Sequence, residues 1–314
     1  MKKILITGIA GFVAKHFVEY LQKNNLEYEI LGLDILDDYE INYKYAKYKK
    51  IDLTDRALIQ EVLDNFKPDY ILHLASVSSV SVSWQKPVQS FVNNTNIFLN
   101  IVESIRELEL KTRILSIGSS EEYGNYPADK MPLKENYELF PCNPYAVARV
   151  SQEMLSKLYA DSYNVDIIMT RSFNHIGPRQ KEIFVIPSFI RQLINIKNDP
   201  TNNEIKVGNI EITRDFLDVR DVVDAYYKIL TQGKKGEIYN VCSGNGIKLK
   251  EIIETVSKIL NITPKITVDE SRIRPADNLI IVGDNSKLKS ELNWNTTYSL
   301  ENTLKDMINY MGEN

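Results

Sequence analysis

The sequence is poor in the residues that build disulfide frameworks and metal sites. It contains two cysteines, Cys142 and Cys242, which are far apart and belong to no CxxC pair. This usage is typical of a reducing compartment and argues against a disulfide-stapled secreted fold, so we expect both to be small core residues. The three histidines have no cysteine or carboxylate partners at metal-ligand spacing, and we predict no metal site.

Long apolar runs and an excess of basic charge are missing as well. No segment approaches the ~20 apolar residues that cross a bilayer, and the apolar run 4–6 is too short for a signal peptide. The formal net charge of −4 offers no basic surface that would attract nucleic acid. We therefore expect a soluble, cytoplasmic protein with neither a membrane nor a nucleic acid as its partner.

The chain does have the size and composition for a substantial core. Its 314 residues, 43% of them apolar, predict one large unit or two fused lobes. Short runs rich in Ile, Leu and Val alternate with amphipathic stretches, which predicts an α/β fold with a doubly wound parallel sheet of the Rossmann type. The predicted strands, each expected to be buried on both faces, are 3–7, 29–33, 47–50, 70–74, 113–117 and 166–171. The predicted covering helices are 12–24, 56–66, 93–109 and 144–163.

The alternation loosens after about residue 174. Prolines at 178, 187 and 200 and the polar loop 198–204 interrupt it, which indicates a second, smaller lobe. We predict domains at 1–173 and 174–314, with 219–241 returning to the first domain, so that the two are interleaved. The elements predicted in the second lobe are helices 187–196, 219–230 and 249–260, strands 205–207 and 238–241, and a final helix from Leu300.

A glycine turn joins the first predicted strand to the first helix. The strand ends at Thr7, the chain turns through Gly8, and Gly11 precedes a helix with the small Ala14 in its first turn. Glycine allows a tight turn and lets a pyrophosphate approach the amide N–H groups at a helix N-terminus. In this context the motif predicts a dinucleotide site, although glycine turns also occur without ligands.

Asp34 ends the second predicted strand, roughly 20 residues after the glycines, where a carboxylate accepts hydrogen bonds from the adenosine ribose. A carboxylate there also repels the extra phosphate of NADP, so we predict NAD(H) as the cofactor. The alternative is a solvated aspartate at a strand end. Neighbouring strand ends should line the same crevice, and the residues predicted to bind the cofactor are Gly8, Gly11, Phe12, Val13, Asp34, Ile35, Asp52, Leu53, Leu74, Ala75 and Ser76.

Five motifs together carry a family resemblance over nearly the whole chain. They are Gly8-Ile9-Ala10-Gly11, His73-Leu74-Ala75, Ser119-Ser120-Glu121-Glu122-Tyr123-Gly124, Tyr145-x-x-x-Arg149 and Arg171-Ser172-Phe173-Asn174-His175. The chain resembles the extended short-chain dehydrogenase/reductases that modify nucleotide sugars. It is most similar to the branch handling GDP-mannose derivatives, which contains GDP-4-keto-6-deoxymannose reductases, GDP-mannose 4,6-dehydratases and GDP-manno-heptose 4-dehydrogenases.

The resemblance implies hydride transfer between C4 of the sugar and the nicotinamide, with Tyr145 as the acid/base. A free phenol has a pKa near ~10, so this role needs a nearby cation, and residue 149 lies on the same face of the predicted helix. The family has lysine there, whereas Arg149 keeps the charge but cannot relay a proton. The alternative is an ordinary core tyrosine beside a solvated arginine. The resemblance also implies that Tyr145, Arg149 and Phe173 contact the cofactor.

The segment after the fifth strand supplies the other implied catalytic residues. By resemblance, Ser119 hydrogen-bonds the reacting C4 oxygen, and Ser120 is the adjacent candidate. Glu121 aligns with the carboxylate that dehydratases use to remove the C5 proton. Dehydration therefore stays open, although reductases of the same branch are similar here and a strand-end carboxylate is often merely solvated.

The second lobe is expected to bind the nucleotide sugar, because a diphosphate needs cations and amides. The resemblance implies Arg214 and Arg274 at the diphosphate and Asp277 near the ribose hydroxyls. His175 is expected either to orient the substrate or to be structural, while His16 and His73 should be packing residues. The predicted substrate-binding residues are Ser78, Asn174, His175, Arg191, Arg214, Arg274 and Asp277. Helices 93–109 and 144–163 pair with their symmetry mates in the family, which implies a homodimer or homotetramer.

The predicted function is NAD-dependent oxidation at C4 of a GDP-linked manno-configured hexose or heptose, giving the 4-keto sugar in surface (capsular) polysaccharide biosynthesis. Oxidation is favoured because Asp34 selects NAD(H), the couple usually used oxidatively. The alternatives are a GDP-4-keto-6-deoxy sugar reductase and a GDP-sugar 4,6-dehydratase or epimerase. An inactive NAD(H)-binding scaffold is a further alternative, which Arg149 favours and the intact Ser119, Tyr145 and Asn174 oppose.

Overall fold

A parallel sheet forms the centre of the larger domain. The computed structural model describes residues 1–36, 46–199, 201–273 and 278–313. Its strands are β1 (Lys2–Thr7), β2 (Tyr28–Asp34), β3 (Ala46–Lys50), β4 (Tyr70–His73), β5 (Arg113–Ser119), β6 (Asp166–Ser172), β7 (Asn174–Ile176), β8 (Glu204–Val207), β9 (Thr213–Asp218), β10 (Ile238–Val241), β11 (Gly246–Lys248), β12 (Lys265–Val268) and β13 (Ile280–Ile281). The large sheet has the order β10-β6-β5-β4-β1-β2-β3. This is the predicted doubly wound Rossmann arrangement, with its switch point between β1 and β4.

Helices cover both faces of this sheet and much of the smaller lobe. They are α1 (Phe12–Lys23), α2 (Arg56–Phe66), α3 (Val80–Gln85), α4 (Pro87–Phe91), α5 (Ile97–Glu107), α6 (Pro144–Ser162), α7 (Val185–Asn198), α8 (Val219–Gln232), α9 (Leu249–Leu260), α10 (Ser286–Leu292) and α11 (Leu300–Glu313). One apolar core joins α1, α8 and α10 to one face, and another joins α2, α5 and α6 to the opposite face. The central strands are therefore buried on both sides, as their apolar runs predict. Within the described ranges, every helix is too short or too polar to span a bilayer.

The edge strand β3 differs from prediction. Its lysines at 47, 49 and 50 are exposed, so the expectation that 47–50 would be buried on both faces is wrong. β3 pairs with β2 and ends the sheet on that side of the described structure. Lysines on such an edge keep it solvated and discourage pairing with another chain.

The predicted helix 93–109 also differs at its start. Two short helices, α3 and α4, and a single π-helical turn at Val92–Asn96 lead into α5. Ser79 caps α3 by accepting a hydrogen bond from the Val82 amide at 3.3 Å, and Pro87 begins α4, a position that suits proline. These short helices bring Trp84 to the rim of the cavity described below.

The smaller lobe is built around β9, which pairs with β11, β13 and β7, while β8 pairs with β12. Helices α7, α9 and α11 close its core. The sequence pattern predicted β8 and these helices but missed β9, because four of its six residues are polar, including the buried Arg214 and Asp215. The short strands β7, β11, β12 and β13 were missed as well.

The chain passes back to the large sheet after β9. Helix α8 packs with α1 on that sheet, and β10 extends it beside β6. The later segment is tied to α8 by the buried Trp294, whose indole N–H donates to the Asp221 carbonyl at 3.2 Å, and by the Asp221 carboxylate, which accepts from the Thr297 amide at 3.0 Å. These hydrogen bonds fix the connection between α10 and α11 to α8.

Candidate active site

A deep cavity lies at the carboxyl ends of β1, β2, β4, β5 and β6, between the large sheet and the smaller lobe. Its volume of about 1350 Å³ exceeds the ~300–1,000 Å³ typical of a pocket for one small ligand. It therefore has room for a dinucleotide and a second ligand. Ligands of open α/β sheets bind at this end, beside the switch point.

The glycine turn forms one end of the cavity. Gly8 has a φ of +71°, and a Cβ at this position would lie 2.8 Å from the Ala75 amide nitrogen, so the turn requires glycine. Gly11 is the N-cap residue of α1, which no side chain caps. The first-turn residues Phe12 and Val13 line the cavity, where the helix dipole favours negative charge. This cradle fits a pyrophosphate.

Asp34 lies at the end of β2, beside this cradle. One of its carboxylate oxygens accepts from the Ala10 amide at 3.0 Å, and the other accepts from the Ile35 amide at 2.8 Å. The carboxylate therefore links the glycine turn to the strand end and is held at the cavity wall. Five further residues predicted at the cofactor, Asp52, Leu53, Leu74, Ala75 and Ser76, line the same part of the cavity.

Tyr145 and Arg149 lie one turn apart on α6, are both buried and line the cavity. The Nε of Arg149 donates a hydrogen bond to the Tyr145 hydroxyl at 3.2 Å. Asn143 caps α6 by accepting from the Ala146 amide at 2.8 Å, and the Tyr145 amide donates to Ser83 Oγ at 3.2 Å. The phenol is thus fixed at the cavity wall with a cation bound to its oxygen.

The other hydrogen bonds of the Arg149 guanidinium go to uncharged groups. It donates to the Ile117 carbonyl at 2.9 Å and to Gln152 Oε1 at 2.8 Å. Gln152 in turn donates to Ser116 Oγ at 2.9 Å. Burial, reinforced by the nearby charge of Arg149, lowers the pKa of His73 to about 3, so that this histidine is neutral and adds no charge. The positive charge is therefore available to the Tyr145 oxygen.

Ser119 ends β5, Ser120 and Glu121 follow it, and all three line the cavity that Tyr145 also lines. The Ser119 hydroxyl accepts from the Glu121 amide at 3.2 Å. The Glu121 carboxylate accepts from Asn143 Nδ2 at 2.9 Å. Because Asn143 also caps α6, the orientation of Glu121 is coupled to the start of the helix that carries Tyr145.

Only some of the residues predicted to bind the substrate lie at the cavity. Ser78, Asn174, His175 and Arg214 line the cavity, whereas Arg274 and Asp277 lie outside the described residues. Burial lowers the pKa of His175, and its ring stacks on Phe12 with centroids 6.2 Å apart. Phe173, predicted at the cofactor, also lines the cavity and is almost fully buried.

Arg191 was predicted to bind the substrate, but it does not line the cavity. Its Nε donates to Glu182 at 2.8 Å, and its NH1 donates to the Met311 carbonyl at 3.0 Å. The side chain thus ties α7 to the C-terminal helix α11. A single arginine on a helix does not show which face of the helix points to the cavity. The sequence therefore could not show that Arg191 lies on the other face.

Several cavity residues were not predicted. Trp84, Arg179, Lys181, Tyr226 and Arg272 all line it. They belong to none of the recognised motifs, and a lone arginine or aromatic residue is ordinarily a surface or core residue. Only Arg179, next to Pro178 and shortly after the Phe-Asn-His segment, had a neighbouring signal. No group of His, Cys, Asp and Glu within the described ranges is arranged to hold a metal ion.

The fold and the site define an enzyme of the extended short-chain dehydrogenase/reductase class, whose members bind NAD(P) and act on nucleotide sugars. A family model described as GDP-mannose 4,6 dehydratase matches residues 5–307. The chain belongs to this GDP-mannose 4,6-dehydratase family, which confirms the resemblance seen in its motifs.

The chain is similar over most of its length to two relatives and to one solved structure. The chain is 30% identical to the GDP-6-deoxy-D-mannose reductase of Pseudomonas aeruginosa, over 98% of this chain and 96% of that protein. It is 28% identical to the GDP-6-deoxy-D-talose 4-dehydrogenase of Aggregatibacter actinomycetemcomitans, over 92% and 91% of the two chains. The structure of RMD from Pseudomonas aeruginosa complexed with NADPH superposes with a TM-score of 0.86 at 28% identity, covering 100% of this chain and 99% of that one.

Replacing Arg149 by lysine should slow turnover by about tenfold, equivalent to about 1.4 kcal/mol in the barrier, and weaken cofactor retention. An ammonium cannot reproduce the planar fork that binds Tyr145, Ile117 and Gln152 together. Steady-state kinetics and NADH titration measure the two effects, with Arg56→Lys, an exposed arginine at the start of α2 and outside the cavity, as the matched control. Unchanged turnover together with unchanged retention would show that the guanidinium is not needed.

Removing the Asp34 carboxylate should reduce the preference for NADH over NADPH. We expect Asp34→Ala to bind NADH about tenfold more weakly, through loss of ribose hydrogen bonds, and NADPH equally well or better. Fluorescence titration of both cofactors measures this, and Glu27→Gln, which removes an exposed carboxylate outside the cavity, controls for net charge. A native protein that prefers NADPH would contradict the role given to Asp34.

Proposed function

We propose that this chain is an NAD-dependent 4-dehydrogenase that oxidises C4 of a GDP-linked manno-configured hexose or heptose to the 4-keto sugar. The observation that carries the proposal is the buried hydrogen bond from Arg149 to the Tyr145 hydroxyl at 3.2 Å, beside a cradle that fits a dinucleotide. Asp34 supports NAD(H) over NADP(H) for the electrostatic reason given above. A role in surface polysaccharide synthesis rests on the family resemblance alone.

The chain's own residues divide the work of the oxidation. When bound, NAD⁺ supplies the acceptor for the hydride that leaves C4. Arg149 stabilises the phenolate form of Tyr145 through its Nε–H and its charge, and this phenolate accepts the proton of the C4 hydroxyl and becomes the neutral phenol. Ser119 donates a hydrogen bond to the C4 oxygen. Arg149 does not relay this proton onward, because a guanidinium effectively never gives up a proton.

The relatives support chemistry on a GDP-linked sugar and keep two alternatives in view. One relative is named as a GDP-6-deoxy-D-mannose reductase and the other as a GDP-6-deoxy-D-talose 4-dehydrogenase, which makes reduction of a GDP-4-keto-6-deoxy sugar the second candidate. The Glu121 carboxylate, held by Asn143 at the cavity, favours the third, a 4,6-dehydratase or epimerase. The scaffold alternative loses support because the family is one of enzymes.

Replacing Tyr145 by phenylalanine should lower turnover by about 10²–10⁴-fold, the usual contribution of an acid/base group, while NADH affinity changes little. The assay follows reduced-cofactor absorbance with GDP-mannose, GDP-6-deoxy sugars and GDP-heptose, in both directions. Tyr163→Phe, an exposed tyrosine at the end of the same helix, is the control. Full activity of Tyr145→Phe would contradict the assignment.

The outer face of α6 supports a homodimer as the functional unit. Val147, Met154 and Leu158 are 42, 62 and 49% exposed and lie on one face of the helix. Helix α4 packs beside α6 and adds Val88 and Phe91. Exposed apolar residues grouped on two adjacent helices are typical of an interface, and a two-fold axis would pair them with their own copy.

A charged pair in this patch should prevent association. We expect Met154→Asp/Leu158→Asp to be a monomer by light scattering where the native protein is a dimer or tetramer, because two buried carboxylates per subunit would lose their hydration. Val268→Asp, an exposed position of the smaller lobe, should leave the mass unchanged. A monomeric native protein would contradict the proposed interface.

A further inference from the structure

A second glutamate follows Glu121 and faces the opposite way. Whereas Glu121 lines the cavity, Glu122 is completely buried beneath it. An ionised carboxylate is almost never fully buried without a partner of opposite charge. The groups around Glu122 therefore decide which form it takes.

Glu122 is bound to the backbone that carries Ser119. Its Oε1 accepts from the Ser119 amide at 2.5 Å. The carboxyl group packs closely against this strand: a Cβ on Gly118 would lie 2.4 Å from the same oxygen and 2.4 Å from the Thr170 carbonyl oxygen, so the two neighbours together require glycine here. Movement of Glu122 would therefore shift the strand end from which Ser119 projects.

The charged groups that face Glu122 are Glu153 on α6 and Arg171 on β6. Arg171 forms its ion pair with Glu153, to which its Nε and NH2 donate hydrogen bonds at 2.8 and 2.9 Å. Lys157 also contacts Glu153, at 3.3 Å. Two carboxyl groups thus share one buried guanidinium, and Glu153 receives its hydrogen bonds.

The second carboxyl oxygen of Glu122 lies in a different environment from the first. Oε2 is buried and finds no hydrogen-bond donor among the described residues, and the neighbouring Glu153 carboxylate can only accept. Burial and the negative charge of Glu153 raise the pKa of Glu122 well above its usual value. Burial opposes ionisation of Glu153 too, but its bonds with Arg171 prevail and hold the pKa of Glu153 below its usual value.

We propose that Glu122 is a positioning residue that works as a neutral carboxylic acid, accepting the Ser119 amide with one oxygen and donating its proton to Glu153 with the other. This bridge fixes the Ser119–Glu121 segment to α6, the helix that carries Tyr145, so that the two sides of the reacting oxygen keep their spacing. Its effect on turnover rests on the proposed function, whereas its protonation does not.

The protonation is tested by stability, with Glu122→Gln as a permanent mimic of the neutral acid. A group whose pKa is raised on folding loses its stabilising contribution as pH rises, because the unfolded chain releases the proton first. At pH values above about 4.3, the pKa of a glutamate in an unfolded chain, the folding equilibrium constant of Glu122→Gln should therefore gain on that of the native protein, by up to tenfold per pH unit, until Glu122 ionises in the folded protein. The exposed Glu254→Gln should follow the native curve.

Parallel stability curves for Glu122→Gln and the native protein would overturn the proposal, since they would mean that Glu122 ionises alike in both states. This comparison by urea unfolding needs no substrate, so it stands even if no GDP sugar turns over. Where turnover is measurable, Glu122→Leu should lower kcat about tenfold with little change in KM, and Glu122→Gln should restore it. Equal loss in both variants would refute the hydrogen-bonded role.

Discussion

The hydrogen bond from the buried Arg149 guanidinium to the Tyr145 hydroxyl is the interaction on which the proposed chemistry depends. A buried guanidinium is costly unless its N–H groups find acceptors. Here the acceptors are the Ile117 carbonyl and the Gln152 amide, both uncharged. The packing of α6 on β5 therefore orients the cation without neutralising it, and the Tyr145 oxygen receives its field.

A second buried arginine shows the contrasting arrangement. Two nitrogens of Arg171 donate hydrogen bonds to the Glu153 carboxylate. This ion pair neutralises the charge of Arg171 and joins β6 to α6. A neutral Glu122 beside this pair adds no negative charge under the Ser119 segment. Of these two buried arginines, Arg171 is paired with a carboxylate and joins β6 to α6, whereas Arg149 is bound by neutral acceptors and faces the reacting groups.

The sequence predicted those parts of the molecule whose pattern follows directly from their environment. Central strands are buried on both faces and are apolar throughout, and the turn at Gly8 requires glycine whatever surrounds it. β9 was missed because its buried Arg214 and Asp215 are satisfied by tertiary contacts that no local pattern encodes. The opposite orientations of Glu121 and Glu122 were equally invisible, since they arise from the turn that follows β5.

Transfer of deuterium from C4 of the sugar tests the central claim most directly, namely that Tyr145 and Arg149 form an acid/base pair for oxidation at that carbon. The native protein is incubated with NAD⁺ and GDP-mannose-type sugars deuterated at C4, and the cofactor and sugar are analysed by mass spectrometry. We expect deuterium in the reduced cofactor and a 4-keto sugar that retains its C6 oxygen. Recovery of all deuterium at C4, with no label in the cofactor for any sugar, would contradict it.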